Sequence, residues 1–206
     1  MAQSNVAGGW RGSADVWLDA AYELLLESGV DAVKIAALAE RLNLARTSFY
    51  WFFKDHQHLL DGLVRRWTEK NTGNLVRQAM AYAETPTEAV LNVFDLWFDT
   101  DLFDSKFEFA VRSWALQSPT ILKKVQAADM LRLNALRDMF VRFGHGELSA
   151  DVRARSIYLV QIGYISMQTR EDLDLRMTRI AYYVEIFTAK RPTQSELNRF
   201  FARHVT

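Results

Sequence analysis

Residues 34–60 read KIAALAERLNLARTSFYWFFKDHQHLL, and this stretch decides the first half of the fold. An apolar stripe recurs there at helical spacing and is formed by Ile35, Leu38, Ala39 and Leu42. Asn43 follows at the point where a residue in the left-handed conformation would end that helix, because Asn tolerates this conformation better than most side chains. Residues 46–52 form the next predicted helix. Two short helices joined by a tight turn are typical of a helix-turn-helix, whose second helix enters the major groove of DNA.

The composition places the rest of the chain in an all-helical class. The chain has 206 residues, half of them hydrophobic, which is enough to bury a sizeable core. Only 3 prolines and 9 glycines interrupt it, and strand-like alternation is hard to find. The absence of cysteine excludes disulfides, thiolate catalysis and Cys-ligated zinc. We expect a cytoplasmic protein, because neither a signal peptide nor an apolar run of membrane-spanning length is visible.

The charge distribution is uneven although the formal net charge is zero. Residues 34–56 carry four basic side chains against two acidic ones, whereas the preceding 33 residues are predominantly acidic. The four basic residues are Lys34, Arg41, Arg46 and Lys54. This weak basic patch is compatible with a dimer that doubles it, but not with tight non-specific binding of nucleic acid.

Helix start signals divide the remaining chain. Ser13 is predicted to cap a first helix that runs to Ser28. Asp55 is predicted to cap a long helix that runs to about Ala83. Further starts are predicted at a Thr85–Glu88 capping box, a Ser105–Glu108 capping box, Ser118-Pro119 and Ser149, and a late helix at about residues 173–188.

Residues 157–167, IYLVQIGYISM, are apolar almost all the way round, so this helix must be covered on every side. We predict a homodimer built on this helix and on the helix at about residues 173–188. In that arrangement the subunit core covers one face and a second copy covers the other.

The N-terminal residues resemble the TetR family of one-component bacterial repressors. The similarity is densest over residues 29–60 and is carried by Gly29, Ile35-Ala36, Ser48-Phe49-Tyr50, Phe53 and Leu59-Leu60. The segment SFYWFFKD is similar to the common family variant SFYWHFKD. Arg112-Ser113-Trp114-Ala115, followed shortly by a proline, is similar to one branch of the family. Elsewhere the resemblance is one of architecture.

The resemblance implies a DNA-binding role for a set of matched positions. Arg46, Thr47, Ser48 and Trp51 occupy recognition-helix positions that face base edges and phosphates. A bidentate arginine–guanine contact is worth about 1–3 kcal/mol of discrimination. Tyr50 matches a tyrosine that binds backbone phosphate. Backbone amides at the start of the fourth helix, with His56 in place of the usual lysine, would hold another phosphate. The implied DNA-binding set is Lys34, Arg46, Thr47, Ser48, Tyr50, Trp51, Lys54 and His56.

Three positions depart from the family pattern. Lys34 replaces a capping threonine that touches phosphate, and Phe52 replaces a phosphate-contacting histidine. Ala45 replaces the Ser or Thr that caps the recognition helix, at a cost of about 1 kcal/mol of helix stability. We therefore expect the contact with DNA to depend heavily on Arg46, Tyr50 and dimerisation.

Aromatic residues between positions 94 and 114 belong either to the core or to a ligand pocket. Arg112 lies one turn from Phe109 and beside Trp114, so a partly buried guanidinium is expected. A buried guanidinium requires a negatively charged partner. The alternatives are the side chain of Glu108 and an anionic ligand. Tyr164, Met167 and Gln168 lie near either the pocket or the dimer seam. The predicted ligand-binding set is Trp97, Phe107, Arg112, Trp114, Tyr164 and Gln168.

The acidic residues Asp95, Asp99, Asp101 and Asp104 suggest a metal site of the kind found in all-helical enzymes, or simply a solvated helix end. His56 and His58 point apart on a helix and cannot chelate one metal. We find no Ser-His-Asp constellation and no Gly-rich phosphate loop. No catalytic residue, metal or cofactor is therefore predicted.

The predicted architecture has two parts. Residues 1–56 form a three-helix helix-turn-helix DNA-binding domain, of which residues 1–12 are expected to be disordered, and residues 57–206 form a larger helical ligand-binding and dimerisation domain. The expected partners are a double-stranded, pseudo-palindromic DNA operator, an unknown small-molecule effector that releases it, and a second copy of the chain, with no membrane. One alternative is a regulator without an effector, whose C-terminal domain only dimerises. Another is an enzyme that uses the aspartate cluster.

Overall fold

The computed structural model describes residues 12–204, and every regular element in that range is helical. The α-helices are α1 (Ala14–Ser28), α2 (Ile35–Leu42), α3 (Arg46–Phe49), α4 (His56–Trp67), α5 (Asn74–Met80), α6 (Pro86–Phe98), α7 (Ser105–Ala115), α8 (Pro119–Arg142), α9 (Glu147–Ser166), α10 (Leu173–Thr188) and α11 (Gln194–Phe201). A 3₁₀ turn at Val30–Ala32 and a π-helical segment at Thr68–Gly73 complete the set. The predicted all-α class is confirmed. The disorder predicted for residues 1–12 concerns residues that lie outside the described range, apart from Gly12.

The chain forms two compact units, the first ending at Arg65 and the second beginning at Arg66. The boundary lies within α4, later than the predicted boundary after residue 56. Within residues 12–204, none of the helices combines the length and the apolar character that crossing a membrane requires.

The first unit contains α1, α2, α3 and most of α4, and aromatic side chains lie at its centre. The Ser13 hydroxyl accepts a hydrogen bond from the amide of Val16 and caps α1, as predicted. Trp17 and Phe49 are fully buried, and their rings meet edge to face at 5.4 Å between centroids. Phe49 also stacks on Phe53 at 5.3 Å. Burial of these rings fixes the short α3 against α1, because aromatic side chains bury large areas and pair favourably.

The turn of the helix-turn-helix has the predicted conformation. Asn43 follows α2 in the left-handed region, with φ 51° and ψ 44°, and its amide donates to the carbonyls of Ala39 and Glu40. The amide of Leu44 donates to the carbonyl of Ala39 at 2.9 Å. These bonds satisfy carbonyls at the end of α2 and turn the chain into α3.

The long fourth helix predicted to reach about Ala83 is interrupted and shorter. It comprises α4, the π-helical segment and α5, and it ends at Met80, because Ala81 adopts an extended conformation (ψ 151°). In the π-helical segment the side chains of Asn71 and Thr72 are buried and bonded to polar groups of the second unit. A π-helical turn is uncommon, and such turns occur frequently at functional sites.

Two of the four helix starts predicted in the second unit differ from the structure. Thr85 and Ser118 cap α6 and α8 as predicted. The Ser105–Glu108 box is wrong, because Asp104 caps α7 and Glu108 is fully buried among cations. The helix predicted to begin at Ser149 begins at Glu147, with Gly146 in the capping position. The predicted helix at about residues 173–188 coincides with α10.

The core of the second unit is formed mainly by the inner faces of α6, α8, α9 and α10. Leu91, Phe140, Ile157 and Val184 are representative members, all almost fully buried. The opposite faces of α9 and α10 remain apolar and exposed within the chain. The prediction that residues 157–167 need a second cover therefore agrees with this surface.

Candidate nucleic-acid interface and ligand pocket

The exposed surface of the helix-turn-helix is formed by α3 and the turn that follows it. Backbone hydrogen bonds of the i+3 type continue the helical path past Phe49, from Tyr50, Trp51 and Phe52. Neither Lys34 nor Ala45 caps its helix with a side-chain bond, as their identities predict. Six of the eight predicted DNA-binding side chains are exposed: Lys34, Arg46, Thr47, Tyr50, Trp51 and Lys54.

The other two predicted residues are placed differently. Ser48 is buried beside Phe49, so its hydroxyl does not belong to the exposed surface. The imidazole Nε2 of His56 lies within hydrogen-bond distance of the backbone carbonyl of Val33, so this ring is engaged inside the first unit. Asp55 caps α4 by accepting from the amide of His58 at 2.8 Å. One of the amides predicted to hold a phosphate is therefore already bonded to a carboxylate.

The basic surface is smaller than the sequence indicates. Arg41 donates two hydrogen bonds to the Glu27 carboxylate, at 2.7 and 2.6 Å. Accepting from this guanidinium lowers the pKa of Glu27 below its ordinary value. In the described part of the chain, Lys34, Arg46 and Lys54 form no ion pair. Of the four basic side chains of residues 34–56, these three remain available to a polyanion.

A buried ionic cluster occupies the second unit. The carboxylate of Glu108 accepts from Arg132 at 2.7 and 3.1 Å, and both side chains are 0% exposed. Arg112 donates to Glu108 at 2.9 Å and also pairs with Asp129. The hydroxyl of Tyr158 accepts from both guanidiniums and donates to Asp129. We call this set, completed by Trp67, Asn71 and Thr72, the buried cluster.

The charges of the buried cluster compensate one another. Burial alone would raise the pKa of Glu108, but the charge and hydrogen bonds of Arg132, aided by Arg112, hold it below its ordinary value. Burial likewise opposes protonation of Arg112, yet Asp129 and Glu108 raise its pKa. Arg112 therefore has two protein carboxylates as partners and needs no anionic ligand.

The cleft in the second unit lies between α6, α9 and α10. Aromatic side chains form much of its wall, among them Phe94, Trp97, Phe98, Tyr183 and Phe187. The cavity volume of the cleft is about 50 Å³. The cleft is therefore small, and it is open to solvent.

Polar groups line the same cleft. The hydroxyls of Tyr164 and Tyr183 share a hydrogen bond of 2.8 Å. Arg179 is ion-paired with Glu171. The Arg176 guanidinium lies 4.5 Å from the centre of the Phe98 ring and donates to the carbonyl of Trp97 at 3.2 Å.

The structure brings only two of the six predicted ligand-binding residues, Trp97 and Tyr164, to the cleft. Phe107 and Trp114 are buried in α7, and Gln168 is exposed beyond α9. The contribution of α10 was not predicted from the sequence, although residues 176, 180, 183 and 187 recur at helical spacing and mark one face.

The aspartate cluster has structural roles. Asp95 accepts from Arg203, Asp99 accepts from the amide of Asp101, and Asp104 caps α7. Among residues 12–204, no group of three or more His, Cys, Asp or Glu side chains is arranged to hold a metal ion. Nothing in this arrangement favours the enzyme alternative.

An all-helical chain whose first unit exposes a helix-turn-helix belongs to the class of DNA-binding transcriptional regulators. The family model "Bacterial regulatory proteins, tetR family" matches residues 18–63. The uncharacterized HTH-type transcriptional regulator YdeS of Bacillus subtilis (strain 168) is 24% identical over 90% of this chain and 82% of its own length. Tetracycline repressor protein class A from transposon 1721 of Escherichia coli is 38% identical over 60 residues, which cover 29% of this chain and 28% of the repressor.

Solved structures extend the similarity to the whole fold. A transcriptional regulator from Rhodococcus sp. Rha1 has a TM-score of 0.56 at 15% identity, over 95% of this chain and 99% of the other. A TetR-family regulator from Mesorhizobium loti MAFF303099 has a TM-score of 0.58 at 13% identity, over 92% and 95%. Residues 18–63 therefore match the TetR family of bacterial regulatory proteins, and the whole chain shares the fold of these regulators. These relatives are regulators rather than enzymes, in agreement with the prediction of no catalysis.

Proposed function

We propose that this chain is a transcriptional repressor that binds a pseudo-palindromic operator as a dimer and is released by a small molecule. The observation that carries the proposal is the aromatic cleft between α6, α9 and α10, in a chain whose other unit exposes a helix-turn-helix. Aromatic clefts with a few polar groups are typical of small-molecule sites. The chain thus has separate surfaces for an operator and for an effector.

Operator binding rests on the exposed residues of α3 and the following turn. Arg46 has no acidic partner in the described residues, so its guanidinium is available for a guanine edge. Tyr50 and Trp51 are large aromatic side chains that remain exposed. Neighbouring exposed aromatic side chains are typical of a surface that binds a partner, here the operator. We assign phosphate contacts to Tyr50, Lys34 and Lys54, and base contacts to Arg46, Thr47 and Trp51.

Dimerisation rests on an apolar strip that the chain itself does not cover. On α9, Leu148, Val152 and Leu159 recur at spacings of four and seven residues, and all are more than half exposed. On α10, Ile186 is 71% exposed and lines a groove together with Leu148 and Val152. A contiguous strip of this kind marks an interaction site, and a second copy of the strip would be self-complementary. Two copies also double the three-cation DNA surface.

Release by an effector requires a difference in affinity between two conformations of the dimer. A small molecule in the cleft shifts the equilibrium only if it binds the DNA-free form more tightly than the DNA-bound form. The cleft is lined by α9 and α10, the helices that carry the dimer strip. A change in their packing would alter the spacing of the two recognition helices on the operator.

A regulator without an effector is the second candidate. The small cavity volume of the cleft, about 50 Å³, favours it, because this volume holds only a few water molecules. The two candidates differ in one result. Operator affinity responds to a small molecule in the first and to none in the second.

The test begins with operator selection from random double-stranded DNA by the full chain, followed by mobility-shift titration. Arg46→Ala should lose its preference between bases at the contacted position, a change of about 1–3 kcal/mol. Arg41→Ala is the matched control, because Arg41 is paired with Glu27, and it should keep the base preference. Wild-type base preference in Arg46→Ala would refute the assigned role.

The dimer is tested separately by sedimentation velocity. Ile186→Glu places a charge in the apolar strip and should yield monomers with weakened operator binding. Glu185→Gln changes a neighbouring side chain that pairs with Arg191 and should remain dimeric. A dimeric Ile186→Glu variant with unchanged operator affinity would show that the interface lies elsewhere.

A further inference from the structure

We infer that the cleft between α6, α9 and α10 binds an aromatic monocarboxylate, whose carboxylate is held by Arg176 and by the indole N–H of Trp97. This inference rests on the proposed function, since it names the chemical class of the effector. Two unsatisfied donors in one aromatic cleft carry it.

Arg176 is the first unsatisfied donor. In the described residues it has no carboxylate within ion-pairing distance, whereas Arg179 on the same helix pairs with Glu171. Among the described residues the guanidinium donates one hydrogen bond, to the neutral carbonyl of Trp97, and it stacks on Phe98. Burial therefore lowers the pKa of Arg176, and Glu171 offsets this effect only partly. A partly buried cation without a counter-ion is costly, and an anionic ligand removes that cost.

The indole of Trp97 is the second unsatisfied donor. Its indole nitrogen is buried and has no hydrogen-bond partner among the described residues. Most buried donors in proteins are paired, so an unpaired one in a cleft wall indicates a missing acceptor. Arg176 donates to the backbone carbonyl of this same residue at 3.2 Å, so both donors belong to residues that are in contact in the cleft wall. Both groups can only donate, so a ligand must supply acceptor oxygens.

The other side chains of the cleft restrict the chemical class of the ligand that supplies those acceptor oxygens. Phe94, Tyr183 and Phe187 present rings, and aromatic groups pair favourably with one another. Because Arg179 is already neutralised by Glu171, one net positive charge is left, which matches a monoanion better than a phosphate dianion. A carboxylate is planar and accepts two parallel bonds from a guanidinium.

The dimensions of the cleft place the body of the ligand in its mouth. A cavity of about 50 Å³ accommodates a carboxylate but not a whole aromatic ring, so the ring would extend into the part of the cleft that is open to solvent. Phe187 lines both this cleft and the groove between α9 and α10 that carries the dimer strip. A ring in the mouth therefore contacts a residue that also faces the proposed interface. This contact gives the ligand a route to the dimer.

The test measures binding to the full chain without DNA by isothermal titration calorimetry. The probes are naphthalene-1-acetate and indole-3-acetate, each compared with its neutral amide, and decanoate as a non-aromatic acid. The acids should bind more tightly than their amides, and Arg176→Gln should weaken the acids about tenfold to a hundredfold without affecting the amides. Trp97→Phe keeps most of the ring and should weaken the acids by a smaller factor. Arg137→Gln changes an ion-paired, half-buried arginine outside the cleft and should bind as the wild type does.

Each outcome bears on one claim. Equal affinity of acids and amides, no binding of either aromatic acid, or equal binding by Arg176→Gln would overturn the inference. Tighter binding of decanoate than of both aromatic acids would overturn the aromatic part of it. If the aromatic acids bind through Arg176 but leave operator affinity unchanged in a mobility-shift titration, the site stands and the proposed ligand response fails.

Discussion

Removal of the charge of Glu108 should destabilise the second unit more than any single surface change. Five donors converge on this carboxylate at 2.7–3.1 Å: Trp67 Nε1, Asn71 Nδ2, Arg112 Nε and both terminal nitrogens of Arg132. In Glu108→Gln the new amide nitrogen would face donors, and Arg132 would lose its carboxylate partner while Arg112 would keep Asp129. Loss of one partner from a buried ion pair costs about 3–5 kcal/mol. Because a domain is stable by only about 5–15 kcal/mol, the loss is large.

Urea unfolding followed by circular dichroism and indole fluorescence measures this loss. With a slope of about 2 kcal/mol per molar urea, the midpoint should fall by roughly 1.5–2.5 M. Fluorescence reports on the same site, since the Trp67 indole donates to Glu108. Glu27→Gln is the matched control. It breaks an exposed pair with Arg41 and should barely move the midpoint, because exposed ion pairs contribute little.

A double variant separates the cost of orphaned charge from the cost of lost packing. Glu108→Leu with Arg132→Met removes both members of the buried pair and fills the space with apolar side chains. Such replacements are often neutral or stabilising, so this variant should be more stable than Glu108→Gln. The electrostatic explanation would be refuted if the double variant proved the less stable of the two, or if Glu108→Gln lost less than about 1 kcal/mol.

Two further predictions concern the pH dependence of stability and the turn of the helix-turn-helix. The pKa of Glu108 is lower in the folded state than its ordinary 4.5, so its stabilising contribution is present above that value and is lost as the pH falls through the folded-state pKa. The urea midpoint of the wild type should therefore fall more steeply below about pH 5 than that of Glu108→Gln, and parallel curves would contradict this. Asn43→Ala should lose about 1–2 kcal/mol in urea unfolding, because Asn43 has φ 51°, whereas Asn43→Gly should retain wild-type stability within about 1 kcal/mol. Equal loss in both variants would show that the Asn side chain, rather than the backbone conformation, matters.

The sequence predicted best those features that depend on neighbouring residues. The caps Ser13, Thr85 and Ser118 and the left-handed Asn43 each bond to atoms within four residues. Their geometry is set by local rotamers and backbone sterics, so a short stretch of sequence determines it. The helix-turn-helix was predictable for the same reason, and because its two helices present regular apolar spacing.

The failures occurred where a distant residue competes for a local group. Ser105 and Glu108 have the spacing of a capping box, but Glu108 is drawn into the core by Arg132, which lies 24 residues away. Asp104 then caps α7 instead. The break in the predicted long helix has a similar cause, since Asn71 and Thr72 in the π-helical segment bond to Glu108 and Arg132. Spacing along the chain carries no information on these pairings.

The same limit explains why the sequence analysis selected Arg112 rather than Arg176 for a ligand. Both arginines lie on partly buried helices beside aromatic residues, and both require an anion. Arg112 finds two, because α8 brings Asp129 to it and its own helix brings Glu108. Arg176 finds none among the described residues, because Glu171 is taken by Arg179. Which cation is left without a partner depends on how the folded chain distributes its acids, and that unpaired cation is the one free to select a ligand.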